Sequence, residues 1–428
     1  MSTRPVIDSL TGLRGVAALL VIVAHYAIWC APYISTSRPE SLGHAFDTAI
    51  YGMSCFFALS GFVITYNYLD FGWDRHPARS ALRFMFLRLS RLYPALLVFI
   101  LLVVMQHWLL TSSAEGFQWW TLLHVLSVQT WIPVTFNGQL PHQGAFHLSW
   151  SISTEIMLYL FFALFAVLTS NHWRFGKLFR FAIAGAGILY LFAINKLLHS
   201  PDTFNSFKAL LPTPFGQLTE AQWYNWFYYL SPYSRIIDFT LGACAAHVVM
   251  RYRPYLSKYQ PMFRWAANLA LVGLVWLYLR PFLPQVLVPH AYYTQVAAAA
   301  FFAVILLNCE GNSGLNRVLS SASLVFLGEI SFSLYLFHPL VARFGIFWPD
   351  RPFEPDLIPI LLFNMAITGF TAVVFAYGMY RLVEMPGQRI LRRLLVRTPM
   401  LEGRGAPLGV INRAPMSGAG IGAKASDG

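Results

Sequence analysis

The sequence predicts an all-α integral membrane protein, a bundle of ten transmembrane helices with both termini in the cytoplasm. Of its 428 residues, 57% are hydrophobic and only 11% are charged, which is typical of proteins that cross a bilayer repeatedly. Ten apolar runs approach the roughly 20 residues that a transmembrane helix needs. They lie near residues 12–30, 49–69, 94–110, 148–169, 179–198, 225–249, 264–283, 292–308, 323–345 and 357–380.

The basic residues indicate how these helices are oriented. A net charge of +12 would suggest a nucleic-acid partner in a soluble protein, but here Lys and Arg cluster between the apolar runs. Because short cytoplasmic connections are rich in Lys and Arg, the more basic set of connections is predicted to be cytoplasmic. We therefore expect these basic residues to contact the lipid bilayer, and we expect no nucleic-acid partner.

The chain divides into two predicted parts. Residues 1–398 form the membrane domain, and residues 399–428 are expected to be a disordered cytoplasmic tail. The tail is rich in Gly, Ala, Ser and Pro and has no hydrophobic period.

The cysteines carry little information. The four of them show no CxxC spacing and no histidine at a metal-ligand spacing, so the sequence predicts no metal site and no disulfide framework. A pairing of Cys30 with Cys55 stays open from their positions near one end of neighbouring helices.

Two polar residues interrupt the first apolar helix, in the stretch IDSLTGLRGVAALLVIVAHY at residues 7–26. Arg14 and His25 are eleven positions apart, so a helix places them on one face with a rise of roughly 16 Å between them. An ionisable group at membrane depth is costly, so each needs a partner or a function. The other ionisable residues inside apolar runs are Glu155, Arg235, Asp238, Glu329 and His338.

Three of these residues are candidates for catalysis. His25, Glu155 and His338 are predicted to lie at similar depth in the outer half of the membrane. Imidazole can exchange a proton at neutral pH and a carboxylate can orient it, so the set suits general acid–base chemistry. The alternative is a histidine that only hydrogen-bonds across a helix interface. The alignment with Arg14 favours the catalytic interpretation for His25.

The remaining intramembrane charges have simpler interpretations. Arg235 and Asp238 are three positions apart on a helix and are expected to neutralise each other. Glu329 lies near the inner face, where it is either structural or adjacent to a ligand.

The segment RHPARSALRFMFLRLSRLYP on the predicted cytoplasmic side carries five arginines. The first three recur at every fourth residue, and Arg88 and Arg91 are three apart, so a helix presents their guanidinium groups in rows. Guanidinium groups bind phosphate through two parallel hydrogen bonds, which suits a phosphorylated cofactor. Anchoring on anionic lipid headgroups is the alternative.

Six segments together resemble the integral-membrane acyltransferase 3 family. They are IDSLTGLRGVAALLVIVAHY, CFFALSGFVITY, FLRLSRLYP, HLSWSISTEIMLYLFF, ISFSLYLFHPL and RLVEMPGQRILRR, in this order between residues 7 and 393. This family O-acylates bacterial polysaccharides, lipopolysaccharide, peptidoglycan and some small molecules. The chain is similar to its members that carry no fused soluble domain.

The resemblance implies an acyl-CoA donor, with acetyl-CoA expected first, that enters from the cytoplasm, and a carbohydrate or glycolipid acceptor on the outer side of a bacterial inner membrane. It implies that Arg14, Arg88 and Arg91 hold the nucleotide end, with Glu329 near the ligand. His25 then removes the proton of the acceptor hydroxyl as it attacks the thioester, or itself forms an acyl-histidine intermediate.

Two other functions compete with acyl transfer. A transporter or flippase could carry a polar solute past His25, Glu155 and His338, but the arginine segment and the lack of an internal repeat argue against it. A membrane scaffold without catalysis is the third hypothesis.

Overall fold

The computed structural model describes residues 6–34, 39–110, 117–133, 146–170, 219–279, 291–343 and 358–397, with a few single positions between 135 and 209. Every regular element in these ranges is a helix, and no strand occurs in them. The predicted fifth span, 179–198, and the predicted tail, 399–428, lie outside the described residues.

We number the α-helices in chain order and name the short π-helical segments by their residues. The elements are α1 (Asp8–Ile34), α2 (Pro39–Tyr68), α3 (Pro77–Leu110), α4 (Phe117–Leu126), a 3-10 turn (His147–Ser149), α5 (Trp150–Leu168), α6 (Glu220–Tyr224), a π segment (Asn225–Leu230), α7 (Pro232–Arg251), α8 (Arg253–Lys258), α9 (Gln260–Leu279), α10 (Ala291–Leu307), α11 (Gly314–Leu319), α12 (Ala322–Arg343), α13 (Ile358–Met379), a second π segment (Tyr380–Glu384) and α14 (Met385–Arg397).

Seven helices of the described residues are long and apolar enough to cross a membrane. The chain is therefore a multi-pass membrane protein that is helical in its described ranges, while the number of ten spans and the side of the termini stay predictions. The seven stretches are Asp8–Tyr26, Ala49–Tyr68, Pro77–Trp108, Trp150–Leu168, Gln260–Leu279, Ala322–Ala342 and Leu362–Leu394.

The predicted sixth span, 225–249, is wrong as one continuous helix. Residues 225–230 form a π segment, in which the Ser231 N–H donates to the Trp226 carbonyl at 2.8 Å, and α7 begins only at Pro232. Proline has no N–H to donate, so a helix begins readily at that residue. This break, which the hydropathy pattern does not reveal, allows Ser231 and the carbonyls of residues 228–230 to bond elsewhere.

The third helix begins earlier than the apolar pattern alone predicts. Instead of starting near residue 94, α3 is continuous from Pro77 and contains four of the five arginines of the segment, together with Pro94. The arginine rows are thus part of the same helix that crosses the bundle. Within this helix Arg88 is buried and Arg91 is half-buried.

Close contacts between small residues hold the central helices together. A methyl group at Gly61 of α2 would lie 1.9 Å from the Phe239 carbonyl oxygen of α7, and one at Gly242 of α7 would lie 1.8 Å from the Ala58 carbonyl oxygen. In the same way Gly328 of α12 touches the backbone of α1. Small residues of this kind let membrane helices pack backbone against backbone. They bring α1, α2, α7 and α12 together around the polar residues described next.

Candidate active site

A pair of histidines joins α1 to α12. His25 Nδ1 and His338 Nε2 are 3.0 Å apart, and the two rings are nearly parallel with centroids 5.2 Å apart. His338 is fully buried and His25 is half-buried. The structure thus brings together two of the three predicted catalytic residues, which are 313 positions apart in the sequence.

Pro339 explains how the His338 ring is held. In a helix the carbonyl of Tyr335 would accept from the N–H of residue 339, but proline has none. The Nδ1 of His338 takes that place, 2.7 Å from the Tyr335 oxygen, and also lies 3.2 Å from the Leu334 oxygen. Because a carbonyl oxygen can only accept, Nδ1 of His338 carries the hydrogen.

This bond fixes the protonation of the whole pair when both rings are neutral. With its hydrogen on Nδ1, His338 can only accept at Nε2, so the hydrogen between the rings belongs to Nδ1 of His25. The basic nitrogen of His25 is then Nε2. His338 acts on His25 as a carboxylate or carbonyl acts on a metal-binding or catalytic histidine, by selecting its tautomer and orientation.

Glu155, the third predicted catalytic residue, lies in a different set of contacts. Its Oε1 accepts hydrogen bonds from Ser60 Oγ at 3.0 Å and from the hydroxyl of Tyr159. Its charge acts on Arg14 and Arg88. The structure therefore places Glu155 with the arginines, whereas the sequence grouped it with the histidines.

Hydroxyl groups fix the start of α5, from which Glu155 projects. Thr130 Oγ1 donates to Ser153 Oγ at 2.9 Å, and Thr154 Oγ1 donates to the Leu230 carbonyl at 2.5 Å. Ser153 and Thr154 are fully buried, so each of these bonds replaces a bond to water that the site excludes. The run of hydroxyl residues before Glu155 is explained by this anchoring of α5.

Four arginines from three helices form a positive cluster at one end of the bundle. The positive charge of Arg14 is repelled by Arg91 and is compensated by the carboxylates of Glu384 and Glu155. Arg392 of α14 is acted on by Arg88 and Arg91. The cluster thus consists of Arg14, Arg88, Arg91 and Arg392.

Arg88 is the most deeply placed arginine of α3. Its guanidinium carbon lies 4.3 Å from the centroid of the Tyr68 ring and 6.0 Å from that of Tyr159. Such cation–π contacts stabilise a buried guanidinium without neutralising it. Within the described ranges its Nε has no hydrogen-bond partner. An anion would satisfy this donor.

Two further carboxylates border the cluster. Glu384, at the end of the second π segment, is buried and accepts from Ser333 Oγ at 2.7 Å. Glu329, predicted as adjacent to the ligand, lies beside Tyr380 and is half-buried. Even when both are counted with Glu155, four guanidinium groups face three carboxylates in the part of the chain that the structure describes.

Arg235 and Asp238 form a separate, closed ion pair, as their spacing predicts. Arg235 Nη1 and Asp238 Oδ2 are 3.0 Å apart, and neither side chain is exposed. Arg235 also donates from Nε to the Tyr229 carbonyl at 2.8 Å and from Nη1 to Ser54 at 3.2 Å. Gln295 fits with its amide oxygen accepting from Nη1 at 3.2 Å. This pair ties α2, α7 and α10 together.

Other site predictions concern metals and cysteines. The described residues contain no group of His, Cys, Asp and Glu that could hold a metal ion, and no metal was expected. Cys55 and Cys309 are buried free thiols. The side chain of Cys30 lies outside the described residues.

Sequence reasoning missed Arg392, Ser60 and Tyr159 as members of the site. Arg392 lies in a basic stretch that the sequence assigned to topology. The hydroxyl partners of Glu155 carry no local signal, since Ser60 is 95 positions away. Pro339, directly after His338, was a usable signal because it releases a carbonyl.

A bundle of helices long and apolar enough to cross a membrane, with an imidazole pair between α1 and α12 and a cluster of arginines, defines a multi-pass membrane protein. The chain belongs to the acyltransferase 3 family, whose acyltransferase domain matches residues 7–381. It is similar to the acyltransferase MdmB of Streptomyces mycarofaciens, with 29% identity over 403 residues that cover 90% of this chain and 93% of that protein. No solved structure matches the chain.

Proposed function

We propose that this membrane acyltransferase moves an acyl group, acetyl in the simplest case, from acyl-CoA to a hydroxyl group. The proposed acceptor is a carbohydrate or glycolipid of the cell envelope, and the proposed location is a bacterial inner membrane. The observation that carries the proposal is the His25–His338 pair, because it gives His25 a basic nitrogen of defined orientation inside a membrane bundle.

The proposed reaction uses His25 as the general base. Its Nε2 takes the proton of the acceptor hydroxyl while the hydroxyl oxygen attacks the thioester carbonyl carbon. The carbon–sulfur bond breaks, the sulfur leaves, and the proton passes from His25 to it, so that an ester and free CoA result. The hydrogen bond from Nδ1 to His338 would stabilise the positive charge that His25 carries between these events.

The arginine cluster supports acyl-CoA as the donor. A CoA molecule carries phosphates at one end and its thioester at the end of a long arm, so a site for it needs positive charge well away from the base. Arg14 and His25 lie eleven residues apart on α1, which corresponds to roughly 16 Å. The arginine cluster around Arg14 and the imidazole of His25 are separated in this way, so they fit the requirement.

The experiment is an acylation assay in the native host. The gene is deleted, the cell-envelope glycans and secreted products are compared by mass spectrometry, and the missing acyl mass identifies the acceptor. We expect plasmid-borne native protein to restore this mass and His25→Ala to lose it, with a rate reduced by about 10² to 10⁴. His247→Ala is a matched control because His247 is exposed on α7.

The outcome is decisive when both variants are present in the membrane at the native level. Acylation that persists in His25→Ala would contradict the role of His25 as base. Acyl transfer from CoA would be contradicted if the deletion strain still makes every acylated product and the purified protein releases no CoA thiol.

A further inference from the structure

Arg392 occupies an unusual position for a charged residue on the last described helix. It lies on α14, and its side chain is directed to the bundle, where the Nε atom is buried. Among the described residues this Nε has no hydrogen-bond partner. A buried donor without a partner is costly, and it is rare unless a ligand or ion satisfies it.

The packing of α14 holds Arg392 near the arginines of α3. A methyl group at Gly387 would lie 2.5 Å from Cβ of Pro94, so the two helices touch with no space for a larger residue. Arg392 follows Gly387 by five residues, about one and a half turns. Tyr68 and the like charges of Arg88 and Arg91 act on its guanidinium group.

The opposite face of α14 is exposed, so the burial of the Arg392 side chain does not result from a lack of exposed positions on this helix. Arg393 is exposed, and Ile390 and Leu394 are 58% and 50% exposed. A helix with basic and apolar residues on its outer face is typical of a membrane surface. Arg392 instead lies among like charges, an arrangement that costs free energy in the absence of an anion.

We propose that Arg392 is a fourth guanidinium group of the donor site and that, with Arg88 and Arg91, it binds a phosphate group of acyl-CoA. This inference rests on the proposed function, since it names the part of the donor that α14 recognises. The helix α14 would then form one wall of the nucleotide site, in addition to its contact with the membrane surface. An anionic lipid headgroup offers the same phosphate chemistry, so the experiment separates the two sources.

The experiment measures CoA binding, which requires no acceptor. The full chain is placed in nanodiscs, and the Kd for CoA is measured for the native protein, Arg392→Ala, Arg392→Lys and the matched control Arg393→Ala. We expect Arg392→Ala to raise the Kd about tenfold, as the loss of one charged hydrogen-bond donor does, and Arg392→Lys to raise it less. Arg393→Ala should bind CoA as the native protein does.

Pantetheine, which lacks the phosphates of the nucleotide, serves as the second ligand. Its Kd should be the same for the native protein and Arg392→Ala, because Arg392 is proposed to contact phosphate alone. A variant that fails to fold would lose pantetheine as well, and Arg392→Lys then serves as the test. A Kd for CoA that is equal in Arg392→Ala and Arg393→Ala would overturn the proposal.

The lipid composition of the nanodiscs distinguishes the sources of phosphate. We expect the tenfold difference to be the same in purely zwitterionic and in anionic nanodiscs. A difference that occurs only with anionic lipid would assign Arg392 to a lipid headgroup and overturn its role in the donor site. If the native protein binds neither CoA nor pantetheine, the donor of the proposed function itself is wrong, whereas binding of CoA that ignores Arg392 leaves that function intact.

Discussion

The protein contains two groups of buried arginines that differ in how their charge is compensated. Arg235 has a carboxylate at 3.0 Å, a backbone carbonyl and a hydroxyl as partners, and neither residue of its ion pair is exposed. Arg88, which is buried, and Arg91, which is half-buried, belong to a cluster of four guanidinium groups bordered by three carboxylates, and Arg88 mainly contacts aromatic rings. One group is closed and the other is open to an anion.

The difference separates a structural charge from a functional one. Asp238 compensates the charge of Arg235, so this pair has no excess charge for an anion to bind, although Nη2 of Arg235 has no hydrogen-bond partner among the described residues. Its residues therefore serve the packing of α2, α7 and α10. An excess of guanidinium groups costs free energy until an anion arrives. Residues of the first kind are expected to determine stability, and residues of the second kind are expected to determine binding.

The largest expected effect is on the closed group. Arg235→Ala should lower the free energy of unfolding by about 3–5 kcal/mol, because it leaves Asp238 as an uncompensated buried charge. Thermal unfolding of the purified protein in detergent measures this loss. The paired change Arg235→Met with Asp238→Leu is the control, and it should restore most of the stability because no charge is left alone. Equal instability of the single and paired variants would contradict this interpretation of the closed group.

The open group should respond in the opposite way. Arg91→Ala removes a charge that opposes Arg14 but also compensates Glu384, so the unfolding temperature should fall much less than in Arg235→Ala, while CoA affinity should fall roughly 10- to 100-fold. Thermal unfolding and CoA binding on the same preparation check both parts. A marked loss of stability with full CoA affinity would show that Arg91 is structural and would remove the contrast.

A smaller change to the closed group sharpens the comparison. Ser54→Ala deletes one acceptor of Arg235 Nη1 and should cost about 1–1.5 kcal/mol of stability without any change in CoA affinity. The measurement is again thermal unfolding beside CoA binding. Altered CoA affinity would mean that the closed and open groups are coupled.

Salt gives the smallest expected effect and needs no substitution. An increase from about 0.1 M to 1 M salt shortens the Debye length from roughly 10 Å to 3 Å, which should weaken CoA binding by several-fold. The unfolding temperature without CoA should change little, because the closed pair is shielded from solvent. CoA affinity that is independent of salt would argue that phosphate is not the group recognised.

The fold could be predicted from the sequence to the extent that it depends on hydrophobicity. Long apolar runs identify most of the helices, and the seven long helices of the described residues all fall on predicted spans. The break before Pro232 and the π segment 225–230 were not predicted, because hydropathy averages over such local changes of hydrogen bonding. The continuity of the arginine-bearing helix with the third span was not predicted either, since its arginine-rich half carries no apolar signal.

The site could be predicted less completely, because its geometry depends on contacts between distant segments. Costly intramembrane charges identify His25 and His338 as candidates, but their contact and its tautomer follow only from the packing of α1 on α12 and from Pro339. A carboxylate at the estimated depth of Glu155 would suit a partner of the histidines. Hydrogen bonds from Ser60 and Tyr159 instead hold Glu155 beside the arginines. Depth along a helix does not determine which neighbour a side chain faces.

The central claim is that the open arginine cluster binds the donor while the histidine pair acts only in the chemical step. The most direct test is the rise of the unfolding temperature on addition of CoA, measured for the native protein, His25→Ala and the paired variant Arg88→Ala with Arg91→Ala. A ligand that binds only the folded state stabilises it by RT ln(1 + [L]/Kd), so at a fixed concentration the rise is larger the more tightly the ligand binds. We expect equal rises for the native protein and His25→Ala and no rise for the paired arginine variant. An undiminished rise in the arginine variant would contradict it.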